Sequence, residues 1–176
     1  MTTIAFSAKD GVMACDSCWT DCNDVVIGTL QTKIFKLTSG AVVGEAGDND
    51  SRAVRELLDK VDRLENMPAA KDLAETHVDY AGIVCLPDGK VAQILIEHDK
   101  EKGWCAQVFP VNRGYTAVGS GGPLAIGYMG ALEGKGAVAA VKFACDNSVG
   151  SKLPVHSVQV WAKPTQRIRS VTTGPR

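Results

Sequence analysis

Short hydrophobic runs bounded by turn residues dominate this chain, and such runs predict β-strands. The first two runs, residues 2–7 and 12–18, are joined by Lys9-Asp10-Gly11, and Asp-Gly is a strong signal for a hairpin turn. A second hairpin is predicted for residues 83–86 and 91–96, around Pro87-Asp88-Gly89-Lys90. The remaining predicted strands cover residues 33–37, 41–46, 104–111, 115–119 and 155–162.

Two regions have a helical pattern instead. A helix is predicted over residues 51–65, capped by Asp50 or Ser51 and stopped by Asn66-Met67-Pro68. Its apolar residues recur at helical spacing, namely Val54, Leu57, Leu58, Val61 and Leu64. The second region runs from Gly122-Pro123 to Ser148, and its several glycines argue against one continuous helix.

The order of these elements predicts the fold class. Strand pairs alternate with helical regions, and the chain closes on a strand. This order predicts an α+β fold, a four-layer α/β/β/α sandwich of two antiparallel sheets flanked by helices. The first strand is then expected inside a sheet, which would fix an N-terminus that otherwise frays.

Length and composition narrow the class of protein. A chain of 176 residues with 45% hydrophobic content is long enough to bury roughly 70% of its unfolded surface. Residues 1–176 are therefore predicted to form one domain, in which 163–176 are a strand end and tail. The net charge of -1 argues against nucleic acid or an anionic membrane as partner. No membrane span or signal peptide is recognised, so the predicted location is cytoplasmic and the six cysteines are expected to be reduced.

The N-terminus carries the strongest candidate chemistry. Methionine aminopeptidases remove Met1 before a small residue, which would leave Thr2 with a hydroxyl and a free α-amino group. That amine has a reference pKa of about 7.7 to 8.0, so it could act as general base for its own hydroxyl at neutral pH. A nearby lysine such as Lys33 would act by its charge, and a carboxylate such as Asp16 would keep that lysine protonated.

These residues occur within a longer series of motifs. The chain resembles the proteasome β-type and HslV-like threonine peptidases, which belong to the N-terminal nucleophile hydrolases. The resemblance runs in order from Thr2 to about Gly150 and rests on six segments: Thr2-Thr3-Ile4, Ala14-Cys15-Asp16, Lys33 with Leu37, residues 43–48 (VGEAGD), residues 118–123 (VGSGGP) and residues 146–150 (DNSVG).

The resemblance implies a role for each matching residue. Thr2 would be the nucleophile, Lys33 would lower the pKa of its reacting groups, and Asp16 would hold Lys33 in place. The Gly44 N–H would form the oxyanion hole, although Gly44 and Gly47 could also simply form a strand-to-helix turn. The remaining implied roles are hydrogen bonding around the amine for Ser120, orientation of the cluster for Asp146, backbone pairing with substrate for Thr20, and lining of the specificity pocket for Val42 and Ala46.

The chain also departs from the family pattern. Val149 stands where related subunits often have a serine, so Ser148 or Ser151 is expected to supply that hydrogen bond. Val42 and Ala46 indicate a preference for a small or apolar substrate residue, and Glu45, next to the oxyanion glycine, is expected to modify it.

The family also implies an assembly. Its members self-assemble into rings, so a homo-oligomeric double ring enclosing the active sites is expected, together with a possible AAA+ unfoldase ATPase ring that supplies polypeptide substrate. No cofactor is required by the implied chemistry.

Three alternatives remain at this stage. A chain that kept Met1 would have its Thr2 amine blocked and would be a catalytically silent structural or regulatory subunit. Other N-terminal nucleophile enzymes hydrolyse small-molecule amides. Finally, Cys15, Cys18 and Cys22 include a Cys-x2-Cys spacing typical of zinc sites, although buried reduced thiols are the favoured interpretation and no metal site is predicted.

Overall fold

The computed structural model describes residues 2–20, 26–28, 32–47, 51–148, 151 and 153–161. Its first sheet is antiparallel and has the strand order β10-β1-β2-β11. The strands are β1 (Thr3–Ser7), β2 (Val12–Asp16), β10 (Tyr115–Gly119) and β11 (Val155–Gln159). Because β1 lies between two neighbours and is buried along its whole length, the N-terminal segment is fixed inside the sheet as expected.

The second sheet is an antiparallel meander in the order β5-β6-β7-β8-β9. Its strands are β5 (Ile34–Lys36), β6 (Val42–Gly47), β7 (Tyr80–Cys85), β8 (Val91–Asp99) and β9 (Gly103–Pro110). A short two-stranded ribbon, β3 (Trp19–Thr20) with β4 (Val26–Gly28), comes between β2 and β5 along the chain.

Helices cover the outer faces of both sheets. They are α1 (Arg52–Leu58), α2 (Ala70–Ala74), α3 (Gly122–Ala131) and α4 (Ala137–Asn147). Gly134 and Gly136 have positive φ angles of 86° and 83°, and they form the turn that separates α3 from α4. The expectation that this region is not one helix is therefore confirmed. Among the described residues, no helix is long and apolar enough to span a membrane.

Three buried clusters separate the four layers. The first includes Val54, Leu58 and Ile94, between α1 and the second sheet. The second includes Ile4 and Ile83 and fills the space between the two sheets. The third, with small residues such as Ala5 and Ala140, lies between the first sheet and the α3–α4 layer, where small side chains permit close approach. The predicted α/β/β/α sandwich is confirmed.

Several predicted boundaries were wrong. The helix expected over 51–65 ends at Leu58, and a separate 3₁₀ turn (Leu64–Asn66) follows. Asp59, just after α1, accepts hydrogen bonds from the Thr38 N–H (2.8 Å) and hydroxyl (2.6 Å), which draws the chain into a turn. Ser51 makes no capping bond, because its hydroxyl donates to Glu45 instead.

Helix α2 and the β3–β4 ribbon were not predicted, because their sequence patterns are weak. Strand β7 was predicted, but it begins three residues before its predicted start. The last strand ends at Gln159, whereas the prediction extended it to residue 162. The predicted tail at 163–176 lies outside the described residues.

Candidate active site

A buried lysine ammonium lies at the end of the first sheet. The Lys33 Nζ donates to the Thr2 Oγ1 at 2.6 Å and to the Asp16 Oδ1 at 3.2 Å, and it also donates to the carbonyl oxygen of Cys18. An ammonium has three N–H donors, and each of them has an acceptor here. Lys33 is therefore arranged to act as a fixed positive charge next to the Thr2 hydroxyl.

Asp16 connects this lysine to the backbone. It is the last residue of β2, and its Oδ1 accepts a hydrogen bond from the Thr3 N–H at 2.8 Å. Its Oδ2 accepts from the Cys18 N–H at 3.1 Å. One carboxylate thus holds the residue after Thr2, the turn after β2 and Lys33 in one arrangement.

The Asp16–Lys33 pair is deeply buried. Asp16 is 0% exposed and Lys33 is 5% exposed. A charge this deeply buried is stable only when it is paired and hydrogen-bonded, and both conditions hold here. The two groups therefore form an ion pair in which a positive lysine faces the hydroxyl.

The carbonyl side of Thr2 meets the end of β10. Thr3 pairs with Gly119 in the sheet, and Gly119 has a φ of 85°. A Cβ at Gly119 would lie 2.1 Å from the Thr2 carbonyl oxygen, so only glycine leaves room for Thr2. The neighbouring Ser120 donates from its Oγ to that carbonyl oxygen at 3.4 Å, whereas the sequence placed this serine around the amine.

Gly44 lies inside β6, between Ile34 and Ile83 of the neighbouring strands. A Cβ at this position would lie 2.6 Å from the side chains of Ile4 and Met13, so glycine here lets the two sheets approach closely. The strand-to-helix turn considered for Gly44 was wrong, since Gly47 ends the strand instead. The oxyanion role of Gly44 stays a prediction.

The alternation of β6 separates its functional candidates onto two faces. Val42 and Ala46 face the other sheet and belong to the middle cluster. Glu45 points the opposite way, towards α1, where its Oε1 accepts from the Ser51 hydroxyl at 2.6 Å and from the Arg55 guanidinium. The expectation that Glu45 modifies the specificity pocket therefore has no support in these contacts.

Burial has a further effect on Glu45. It raises the pKa of this carboxyl above its ordinary value of 4.5, while the bonds from Ser51 and Arg55 oppose the shift. Its second oxygen, Oε2, has no hydrogen-bond partner among the described residues, as is also true of the buried Tyr80 hydroxyl.

An open cleft of about 340 Å³ lies beside Thr2. Thr2, Gly119 and Ser120 line one part of it, and Ala46 with Gly47 lines another. The rest consists of residues 79–81 and 95–97 of the second sheet. Of the two predicted specificity residues, Ala46 lines this cleft, whereas Val42 is 4% exposed and lies in the core.

Asp146 is not brought into the Thr2 network. It lies exposed near the end of α4, and no hydrogen bond or ion pair joins it to the described part of the site. Its orienting role therefore stays a prediction without structural support.

The structure adds a contact that sequence reasoning did not assign. Ser151 is fully buried, and its Oγ lies 2.5 Å from the Thr3 Oγ1. The hydrogen bond that Ser151 was expected to supply in place of a serine at position 149 is therefore made to Thr3 and not to Thr2. Val149 itself lies outside the described residues. The only sequence signal was a serine close after the Asp146 motif.

Thr20 lies in β3, and the structure describes only its backbone. Cys15 and Cys18 are buried free thiols, and burial raises the pKa of Cys15. Cys22 lies outside the described residues, so the zinc alternative is not tested. Among the residues that the structure does describe, no three metal-ligating side chains cluster.

Solved structures share this architecture. Eukaryotic HslV from Trypanosoma brucei is 21% identical, has a TM-score of 0.67 and matches over 89% of this chain and 97% of its own. Thiobacillus denitrificans BPH is 20% identical with a TM-score of 0.59, covering 89% of this chain and 96% of its own. Its complex with epoxomicin is 17% identical with a TM-score of 0.61 and the same coverage.

At these identities the likeness shows that the chain has the HslV-type fold. No protein-family model matches the sequence. No curated protein sequence matches it either.

Proposed function

We propose that the protein is a threonine-type endopeptidase subunit in which Thr2, freed by removal of Met1, is the nucleophile. The observation that carries this proposal is the 2.6 Å hydrogen bond from the Lys33 ammonium to the Thr2 hydroxyl, inside a buried network and beside an open cleft. The shared fold with HslV and with the epoxomicin-bound T. denitrificans protein supports the same chemistry.

The reaction begins at the Thr2 hydroxyl. Its oxygen attacks the carbonyl carbon of a peptide bond, and its proton passes to the α-amino group of the same residue, directly or through a water. The fixed charge of Lys33 lowers the pKa of both groups. Asp16 keeps Lys33 protonated and in position, so Lys33 has no role as the base.

Two further steps complete the turnover. The tetrahedral oxyanion would be stabilised by the Gly44 N–H, and loss of one such donor typically costs about 2.7 to 4 kcal/mol of transition-state stabilisation. The protonated amine then gives its proton to the leaving amine, which leaves an ester on Thr2. Water attacks the carbonyl carbon of this ester, whose C–O bond to Thr2 breaks; the carboxylic acid product leaves and the Thr2 hydroxyl is restored, and no metal or cofactor enters these steps.

The proposal extends to the assembly and its location. We propose an extended polypeptide as the substrate, since the cleft beside Thr2 is open. We propose, from the resemblance, a cytoplasmic homo-oligomeric double ring that encloses these clefts and works with an AAA+ unfoldase ring.

A proteolysis assay with matched variants tests the proposal. Wild-type protein is incubated with an unfolded protein substrate, in parallel with Thr2→Ala and Thr2→Ser. We expect fragments from wild type, slower release from Thr2→Ser, which keeps a hydroxyl, and none above background from Thr2→Ala. Equal proteolysis by wild type and Thr2→Ala would overturn the proposal.

A further inference from the structure

The cleft beside Thr2 has an apolar part formed by one row of residues across the second sheet. Ala46, Ala81 and Leu95 occupy directly paired positions on β6, β7 and β8. Ala46 and Ala81 belong to the cluster between the sheets, so this row faces the first sheet and Thr2.

Along strand β8, this face runs from the interior of the sandwich to the protein surface. Gln93 still contacts the first sheet, since its Nε2 donates to the Thr116 hydroxyl at 2.7 Å. Ile94 and Ile96 point the other way, into the cluster under the helices. Strand alternation therefore puts Gln93, Leu95 and Glu97 on one face, and Glu97 is the exposed residue among them.

Glu97 thus places a carboxylate in the same cleft as the proposed nucleophile. Asp79, just before β7, lines this cleft too. No cation pairs with Glu97 in the part of the chain that the structure describes. The nearest catalytic cation, Lys33, is buried and has all three donors occupied.

We propose that Glu97 makes this cleft selective for a substrate residue with a positively charged side chain close to the cleaved bond. The inference rests on the peptidase function proposed above and names its substrate preference. The aliphatic part of a lysine or arginine side chain would pass over Ala81 and Leu95, and its charge would reach Glu97.

Internally quenched peptides test this preference. A single lysine is moved through the three positions on each side of the cleaved bond, and each peptide is compared with one carrying norleucine at that position. Mass spectrometry confirms that the same bond is cut. We expect wild type to cleave the lysine peptide about threefold to fivefold faster in kcat/KM at one position, with the advantage shrinking at high salt.

Three variants locate the source of the preference. Glu97→Gln should bring the lysine-to-norleucine ratio close to one, and Glu97→Lys should bring it below one. Glu101→Gln removes an equal charge from the exposed turn after β8 and should keep the wild-type ratio.

Either of two results overturns the inference while leaving the peptidase intact: a wild-type ratio near one at every position, or an unchanged preference in Glu97→Gln. Failure of wild type to cleave any peptide would instead overturn the proposed function, and with it this inference.

Discussion

The Lys33 Nζ donates to the Thr2 Oγ1 at 2.6 Å, and its two other protons go to Asp16 and to the carbonyl oxygen of Cys18. A lysine in this arrangement cannot accept a proton without first losing one of these bonds. Its influence on Thr2 is therefore electrostatic, and the stability of the site depends on keeping this buried charge neutralised.

Replacement of Asp16 by Asn tests that dependence. Asp16→Asn keeps the shape but removes the negative charge beside buried Lys33, and its amide nitrogen cannot accept from a backbone N–H. We expect a loss of about 3 to 5 kcal/mol in the free energy of unfolding, measured by chemical denaturation. Asp62→Asn, at an exposed site, should cost far less than Asp16→Asn, and equal losses in the two variants would contradict this dependence.

Gly119→Ala tests whether the end of β10 positions Thr2. The new Cβ would lie 2.1 Å from the Thr2 carbonyl oxygen, so either Thr2 or β10 must move, and we expect peptidase activity to fall at least tenfold. Gly89→Ala is a matched control: its φ of 83° is nearly the same as the 85° of Gly119, but nothing lies within 4 Å of its added Cβ. That variant should lose only about 1 kcal/mol of stability and keep its activity.

The pair of Thr3 and Ser151 is predicted to be energetically coupled. Thr3→Val or Ser151→Ala each leaves one buried hydroxyl without its partner, which should cost about 1 to 3 kcal/mol. The double variant has neither hydroxyl, so its loss of unfolding free energy should be less than the sum of the two single losses, by about 1 kcal/mol. A double-mutant cycle of unfolding free energies measures this coupling, and strict additivity would show that the contact contributes nothing.

The buried carboxyl of Glu45 should make the stability of the protein depend on pH. Burial raises the pKa of the folded carboxyl, so above about pH 4.5 the folded state holds its proton more tightly than the unfolded state does. The free energy of unfolding of wild type, relative to that of Glu45→Gln, should therefore fall as the pH rises from about 4.5 through the folded pKa. Denaturation of both proteins from pH 4 to 7 tests this, and a relative gain of wild type would mean that Arg55 outweighs burial.

Motif order could predict the centre of the site because it links residues that are close in space but not in sequence. Thr2, Asp16 and Lys33 come from three different segments, and the structure joins them through hydrogen bonds. Hydrophobic patterning alone could place their strands but could not show that the strand ends converge.

The remaining contacts depend on packing that the sequence does not encode locally. The Thr3–Ser151 bond joins residues 148 positions apart, and the sequence indicated a serine near the Asp146 motif but not Thr3 as its partner. Glu45 is adjacent to Gly44 in sequence, yet the strand pleat directs it to the opposite face. The α1 helix ends at Leu58 because Asp59 bonds to Thr38, although the apolar spacing continues to Leu64.

Intact mass spectrometry tests most directly whether Thr2 becomes an N-terminal nucleophile. The purified protein is weighed before and after treatment with a peptide epoxyketone, which requires both the hydroxyl and the free amine of one residue. We expect loss of one methionine and then one adduct per subunit, with no adduct on Thr2→Ala. A mass that retains Met1 and gains no adduct would contradict it and favour a catalytically silent subunit.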